Sequence, residues 1–206
     1  MVEIRKMIIP VSRARSGIKR TGLVGITIHN TGNYSKGAGA LNHAKYLAGG
    51  GKNNQVSWHF AVDDKLITQT IPLDEVAWHA GDGGGNGNYK TIAIEICVNP
   101  DSNLTTACNN AAQLVAHLLK DYNLNINQVY QHNHWSGKNC PSELRCGKPY
   151  SWQDFLNKVK SYGSLSPSPA PSGKLYRVQV GAYSVRANAE AMLKKLKGAG
   201  FDGYIK

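Results

Sequence analysis

The sequence predicts an α/β fold, with a mixed central β-sheet flanked by helices and a small βαβ tail. Three observations predict it. Two strongly β-branched runs, LVGITIH at Leu23–His29 and TIAIEICV at Thr91–Val98, read as strands. Two longer runs carry apolar residues at helical spacing. Strand and helix signals alternate along the chain, the pattern of layered α/β structure, with a mixed sheet favoured over a purely parallel one.

The elements follow in order. Leu23–His29 is the first strand, and Gly39–Leu47 is a short helix. Ser57–Val62 and Lys65–Ile71 are short strands joined by a hairpin-like turn at Asp63-Asp64. Thr91–Val98 is the most β-branched strand. Thr105–Tyr122 has apolar residues at 111, 114, 115, 118 and 119, which is helical spacing. Ser151–Tyr162 repeats that spacing with Trp152, Phe155, Leu156 and Val159, and Ser151 is its expected N-cap. Residues 163–173 read GSLSPSPAPSG, a Pro/Ser linker. It separates a domain at 1–162 from a tail at 174–206. The tail reads strand (Leu175–Gly181), helix (Val185–Lys197) and strand (Phe201–Ile205), with Met192, Leu193 and Leu196 as an apolar stripe.

Composition narrows the partners. The 206 residues are 41% hydrophobic and 18% charged, as in an ordinary globular protein. The net charge is +11, with +6 over 1–163 and +5 over 174–206. A balance this basic predicts an acidic partner, either a nucleic acid or a cell wall with anionic polymers. No helix-turn-helix or aromatic-basic RNA motif occurs, so no nucleic acid is expected. No run of about 18 apolar residues occurs, so no membrane span is expected. The apolar patch Met7–Ile9 is too short for a signal-peptide core. The chain is therefore expected to be made in the cytoplasm, where its four cysteines serve metal binding or catalysis more readily than disulfides.

Three places carry chemistry. Alternation puts Ile26 and Ile28 on one strand face, and Thr27 and His29 on the other. In TIAIEICV, Ile92, Ile94 and Ile96 share a face, while Glu95 lies opposite with Ala93 and Cys97 as the strand's sole charge. A carboxylate placed there needs a partner or a task, such as general base beside a metal, with a pKa raised by desolvation. The segment from Gln131 to Pro141, QHNHWSGKNCP, packs two His, a Lys and a Cys around a Gly turn. Imidazole and thiolate are the usual zinc donors, and a catalytic zinc takes three of them. Spacing alone leaves His132 and His134 as alternatives. Lys138, two residues before Cys140, is placed to stabilise an oxyanion.

The ordered motifs TIHNT, SWHFAVDD, AWHAGDG, IAIEICVNPD and HxxxSGKxCP resemble the zinc N-acetylmuramoyl-L-alanine amidases of the peptidoglycan-recognition type, over residues 1–160. The likeness is strongest to endolysins of phages and prophages of Gram-positive spore-formers. It implies the peptidoglycan-recognition/phage-lysozyme-amidase fold and Zn²⁺ on His29, His132 and Cys140. It further implies Glu95 as the catalytic acidic residue and Lys138 as the transition-state lysine. Trp58, His79 and His134 are expected along the substrate groove. Some phage relatives carry a catalytic tyrosine at the position of Trp58, and this departure assigns the proton to Glu95. Residues 176–206 resemble one βαβ repeat of the peptidoglycan-binding SPOR domain, which is built from two. At 33 residues, 174–206 is too small for a core of its own, so it pairs with a second chain, docks on the amidase, or is cut short.

The resemblance implies hydrolysis of the bond between N-acetylmuramic acid and L-alanine in bacterial peptidoglycan. The enzyme would reach the wall through a holin-type pore or by lysis, as endolysin or autolysin. Two rival readings are a peptidoglycan-binding module without catalysis and a lysin with a secondary regulatory role. Superfamily members that only bind often lack the cysteine, which this chain has.

Overall fold

The computed structural model describes residues 2–164, 180–198 and 205. The chain forms two units, Met1–Ser166 and Pro167–Lys206. The first contains, in order, β1 (Ile4–Lys6), β2 (Gly25–Asn30), α1 (Ala40–Ala48), β3 (Phe60–Val62), β4 (Ile67–Gln69), α2 (Asn86–Lys90) and β5 (Thr91–Ile96). It continues with α3 (Leu104–Asp121), β6 (Val129–Gln131), α4 (Asn133–Ser136), α5 (Ser142–Arg145) and α6 (Trp152–Ser164).

The six strands form one mixed sheet, ordered β1-β4-β3-β5-β2-β6. All pairs are parallel except the β3–β4 hairpin, which turns at Asp63-Asp64 as expected. The central strands β2 and β5 form where isoleucines recur at every second position. The three-residue strands β1 and β6 lie at the sheet edges and are too short to show in the sequence pattern. The strand expected at Ser57–Val62 is regular only from Phe60.

The alternation read from the sequence sorts the two faces. Ile26, Ile28, Ile92, Ile94 and Ile96 enter one core with Phe60, Val62, the α3 residues Ala111, Leu114, Val115 and Leu118, and the α6 residues Phe155 and Val159. Each fully buried isoleucine contributes on the order of 2 kcal/mol. The opposite face is lined by small residues, Ala61, Ala93 and Cys97, against which Ala40 and Leu47 of α1 pack with Ile9, Ala14 and Trp58. Helix ends are set by side chains. Asn103 accepts from the Thr106 amide at the start of α3. Ser151 Oγ accepts from the Asp154 amide, while the Asp154 carboxylate accepts from the Ser151 amide.

Residues 7–20 form a strap over the second face that the sequence pattern does not signal. Ile9 donates to the Thr70 carbonyl, and Val76 donates to that of Ile18. The Arg15 guanidinium grips the buried Glu75 carboxylate through Nε at 2.7 Å and Nη2 at 2.9 Å.

In the second unit, α7 (Arg186–Gly198) is described, with an ion pair from Arg186 to Glu190 at 2.9 Å. Met192, Leu193 and Leu196 are among its partly covered residues, consistent with the expected stripe. The linker expected at 163–173 lies outside the described residues from 165 onward, and 163–164 close α6 instead. The strands expected at 175–181 and 201–205 lie, except for 180, 181 and 205, outside the described residues.

Candidate metal centre

The site stands at the carboxyl ends of β2, β5 and β6, where ligands bind in open α/β sheets. Register puts His29 of β2 directly beside Glu95 of β5. β6 ends at Gln131, opposite Ile28, and the next amide, His132, donates to the Ile28 carbonyl. The His132 ring thus arrives beside His29. Cys140 is brought in by the loop after α4. Gly137 takes a left-handed φ of 75°, and the Asn133 side chain donates through Nδ2 to the carbonyls of Gly137 and Lys138. The Asn133 N–H donates to the Cys140 carbonyl, which closes the loop.

The three converge. His29 Nδ1 lies 3.0 Å from His132 Nδ1 and 3.9 Å from Cys140 Sγ. The three ligand atoms all lie within 4.8 Å of one another, and all three residues are buried. The geometry selects His132 over His134. His134 lies on α4, is exposed, and stacks on the Tyr130 ring with centroids 4.8 Å apart.

The electrostatics suit a cation. Burial holds the His29 imidazole far below its ordinary pKa, aided by His79, His132 and Lys138, and burial lowers His132 as well. Both rings are therefore neutral and offer lone pairs. Burial pushes the Cys140 thiol up to about 12. A borderline-soft dication would displace its proton and gain a thiolate ligand. Two neutral imidazoles and one sulfur, close together and shielded from water, fit Zn²⁺.

Glu95 Oε1 lies 4.0 Å from His29 Nδ1. Its Oε2 is buried and has no hydrogen-bond partner among the described residues. Burial raises this carboxyl to about 8, against the opposing pull of Lys138. Lys138 is exposed, and its positive charge also bears on His29, His132 and Cys140.

The residues expected along the groove sit differently. Trp58 is buried against α1, edge-on to His43. His79 is buried behind the site, with Nδ1 3.0 Å from His29 Nε2. Trp58 packs with Ile9 and Ala14 of the strap, and His79 lies against His29 and Thr91. His134 alone of the three is exposed. Cys97 and Cys108 are buried free thiols apart from this cluster, and Cys146 is an exposed one.

The profile of the N-acetylmuramoyl-L-alanine amidase family (Amidase_2) matches residues 20–143, which contain His29, Glu95, His132, Lys138 and Cys140. The chain belongs to this family. It is 45% identical over 179 residues to the N-acetylmuramoyl-L-alanine amidase CwlH of Bacillus subtilis (strain 168), covering 84% of this chain and 69% of CwlH. To XlyA of the same organism it is 46% identical over 165 residues, covering 80% of this chain and 53% of XlyA. The chain thus spans about half of XlyA. The solved catalytic domain of XlyA superposes with a TM-score of 0.72 at 42% identity, covering 77% of this chain and 99% of that domain. The amidase fold expected from the sequence is therefore the fold observed. The SPOR profile matches residues 151–206. That span includes α6, whose Phe155 and Val159 belong to the core of the first unit. Among the described residues no helix is long and apolar enough to cross a membrane.

Proposed function

We propose that this chain hydrolyses the amide bond between the lactyl group of N-acetylmuramic acid and L-alanine in peptidoglycan, with Zn²⁺ held by His29, His132 and Cys140. The observation that carries the reading is a buried N, N, S donor set with a carboxyl beside it whose Oε2 has no hydrogen-bond partner among the described residues. Family membership supports the bond, and the donor set supports the metal.

Zn²⁺ in this donor set supplies a Lewis acid that acidifies water and polarises a carbonyl. Glu95 takes the proton of the attacking water on Oε2, the oxygen without a partner among the described residues, and returns it to the departing amine of L-alanine. Burial alone would leave this carboxyl protonated at neutral pH. Lys138 already opposes that rise, and a neighbouring dication would draw the pKa further down, toward the range where a proton moves either way. Lys138 places its ammonium where the oxyanion of the tetrahedral intermediate develops.

The division of labour we propose is a catalytic unit over residues 1–162, completed by the end of α6, and a wall-binding unit over 174–206. The SPOR match supports a peptidoglycan partner for the second. The +5 charge of 174–206 favours anionic wall polymers as an additional contact. The enzyme would act at the cell wall. A binding module without catalysis is disfavoured because it has no use for Cys140 or for a buried Glu95 carboxyl beside it. The test is an assay of H29A and C140A on purified walls, counting newly freed L-alanine amino termini. Loss of release is expected, and release at the parent rate would overturn the assignment.

A further inference from the structure

We propose that His79 is a positioning residue for the metal site: it accepts the Nε2 proton of His29 and so fixes that ring with Nδ1 as the donor. The inference rests on the reading above that His29, His132 and Cys140 hold Zn²⁺.

A neutral imidazole carries one proton, and the partner of one nitrogen decides the state of the other. His29 Nδ1 is the nitrogen that faces His132 Nδ1, Cys140 Sγ and Glu95 Oε1, at 3.0, 3.9 and 4.0 Å. To bind a cation it must be bare, which puts the ring's proton on Nε2. That nitrogen points away from the donor set, at His79 Nδ1, 3.0 Å distant. The two rings meet edge-on, with centroids 5.0 Å apart and planes at 89°. His79 stands on the far side of His29 from the other donors, so it is not itself a ligand.

The surroundings of His79 hold it in the accepting state. If Nδ1 accepts, its own proton is on Nε2. Its Nε2 lies 3.5 Å from Thr91 Oγ1, which can accept that proton. Thr91 Oγ1 already donates to Gly87 O at 2.7 Å, so it has no proton to offer His79. Thr91 Oγ1 is in turn 2.8 Å from Thr27 Oγ1, which receives the Trp135 indole N–H at 2.9 Å. From Trp135 through Thr27 and Thr91, each proton is directed onward to Gly87 O. The reverse tautomer of His79 would set its Nδ1–H against the His29 Nε2–H and turn a bare Nε2 toward a hydroxyl whose proton is already committed to Gly87 O.

The backbone is held as firmly. The amides of His79 and Ala80 both donate to Asn88 Oδ1, at 2.7 and 2.8 Å. The Asp82 carboxylate receives the amides of Gly87 and Asn88. Gly87 is required at its position, because a Cβ there would lie 2.4 Å from Ala80 Cβ and 2.8 Å from Trp135 Cγ. The AWHAGDG motif thus folds into a bracket that presents one ring nitrogen to His29.

The test uses the full chain and reads metal affinity by chelator competition. Loss of a partner behind a ligating histidine weakens binding about 10- to 100-fold, the effect expected of His79→Ala. In His79→Asn the amide oxygen takes the place of Nδ1, can accept the same proton, and should recover most of the affinity. Thermal unfolding of the metal-free proteins checks that both variants are folded. Independently, ¹⁵N-histidine NMR of the zinc-loaded parent should show His29 metal-bound at Nδ1 and protonated at Nε2. Parent-like affinity in His79→Ala, equal losses in both variants, or His29 bound through Nε2 would overturn the proposal. A parent chain that takes up no stoichiometric zinc would instead refute the metal reading on which it rests.

Discussion

His59 makes the fold acid-sensitive in a way that can be measured. The ring is fully buried, accepts the Ala93 amide on Nδ1 at 3.0 Å, and hydrogen-bonds the Glu75 carbonyl through Nε2 at 3.1 Å. Protonation would turn Nδ1 against an N–H that already points at it. Burial, the largest cause, holds its pKa near 4 against an ordinary 6.5. The depressed value means that the folded state resists the proton. The stabilisation is complete above pH 6.5, declines as pH falls toward 4, and is then constant. The gap is worth on the order of 3 kcal/mol, a large share of a typical domain's stability, and corresponds to roughly 10 °C in Tm. The assay is urea unfolding of the parent and His59→Gln at fixed pH values from 7 to 4, with chelator present. His29, His79 and His132 are present in both proteins, so the pH dependence of the difference reports chiefly on His59. At pH 7 the variant should be less stable by about 1–3 kcal/mol, for the lost Ala93 hydrogen bond. The difference should then shrink or invert by on the order of 3 kcal/mol toward pH 4. A difference that stays constant across this range would refute the reasoning.

Other predictions follow from the same geometry. Glu95→Gln keeps the shape of the site but cannot carry the proton, so wall hydrolysis should fall about 10²- to 10⁴-fold while zinc stoichiometry is retained, as metal analysis beside a kinetic assay will show. Arg15→Ala leaves the buried Glu75 carboxylate without its main partner and should cost about 3 kcal/mol in urea unfolding near pH 7. Arg15 holds the Glu75 carboxyl below its ordinary value, so that stabilisation is present above about pH 4.5 and fades as pH falls. Phe155→Ala empties a fully buried position on α6 and should cost about 3–5 kcal/mol. A chain ending at residue 150 should therefore fail to fold cooperatively, whereas one ending at 164 should fold and still release L-alanine termini.

Much of this architecture is legible in the sequence, for physical reasons that differ between elements. β2 and β5 are readable because their two faces meet different partners. The isoleucines meet α3 and α6, while Ala93 and Cys97 meet α1. The helices are readable because their buried stripes are long. β1 and β6, with three residues each, are held by their neighbours' ladders rather than by any pattern of their own. The strap at 7–20 depends on a pairing 60 residues away, Arg15 with Glu75, which no local period encodes. At the site, Glu95 stands out as a lone charge on a small-residue face. The choice between His132 and His134 does not, because residues two apart part company only where β6 gives way to α4. The place of His79 is least legible. A loop residue has no period, and the motif locates it without revealing that its ring meets His29.

The most direct test of the account is X-ray absorption at the zinc edge on the purified chain. One zinc per chain is expected, with two nitrogens at about 2.0–2.1 Å and one sulfur at about 2.3 Å. The sulfur should be lost in C140A. A sulfur-free shell in the parent, or no stoichiometric zinc at all, would contradict the assignment of His29, His132 and Cys140.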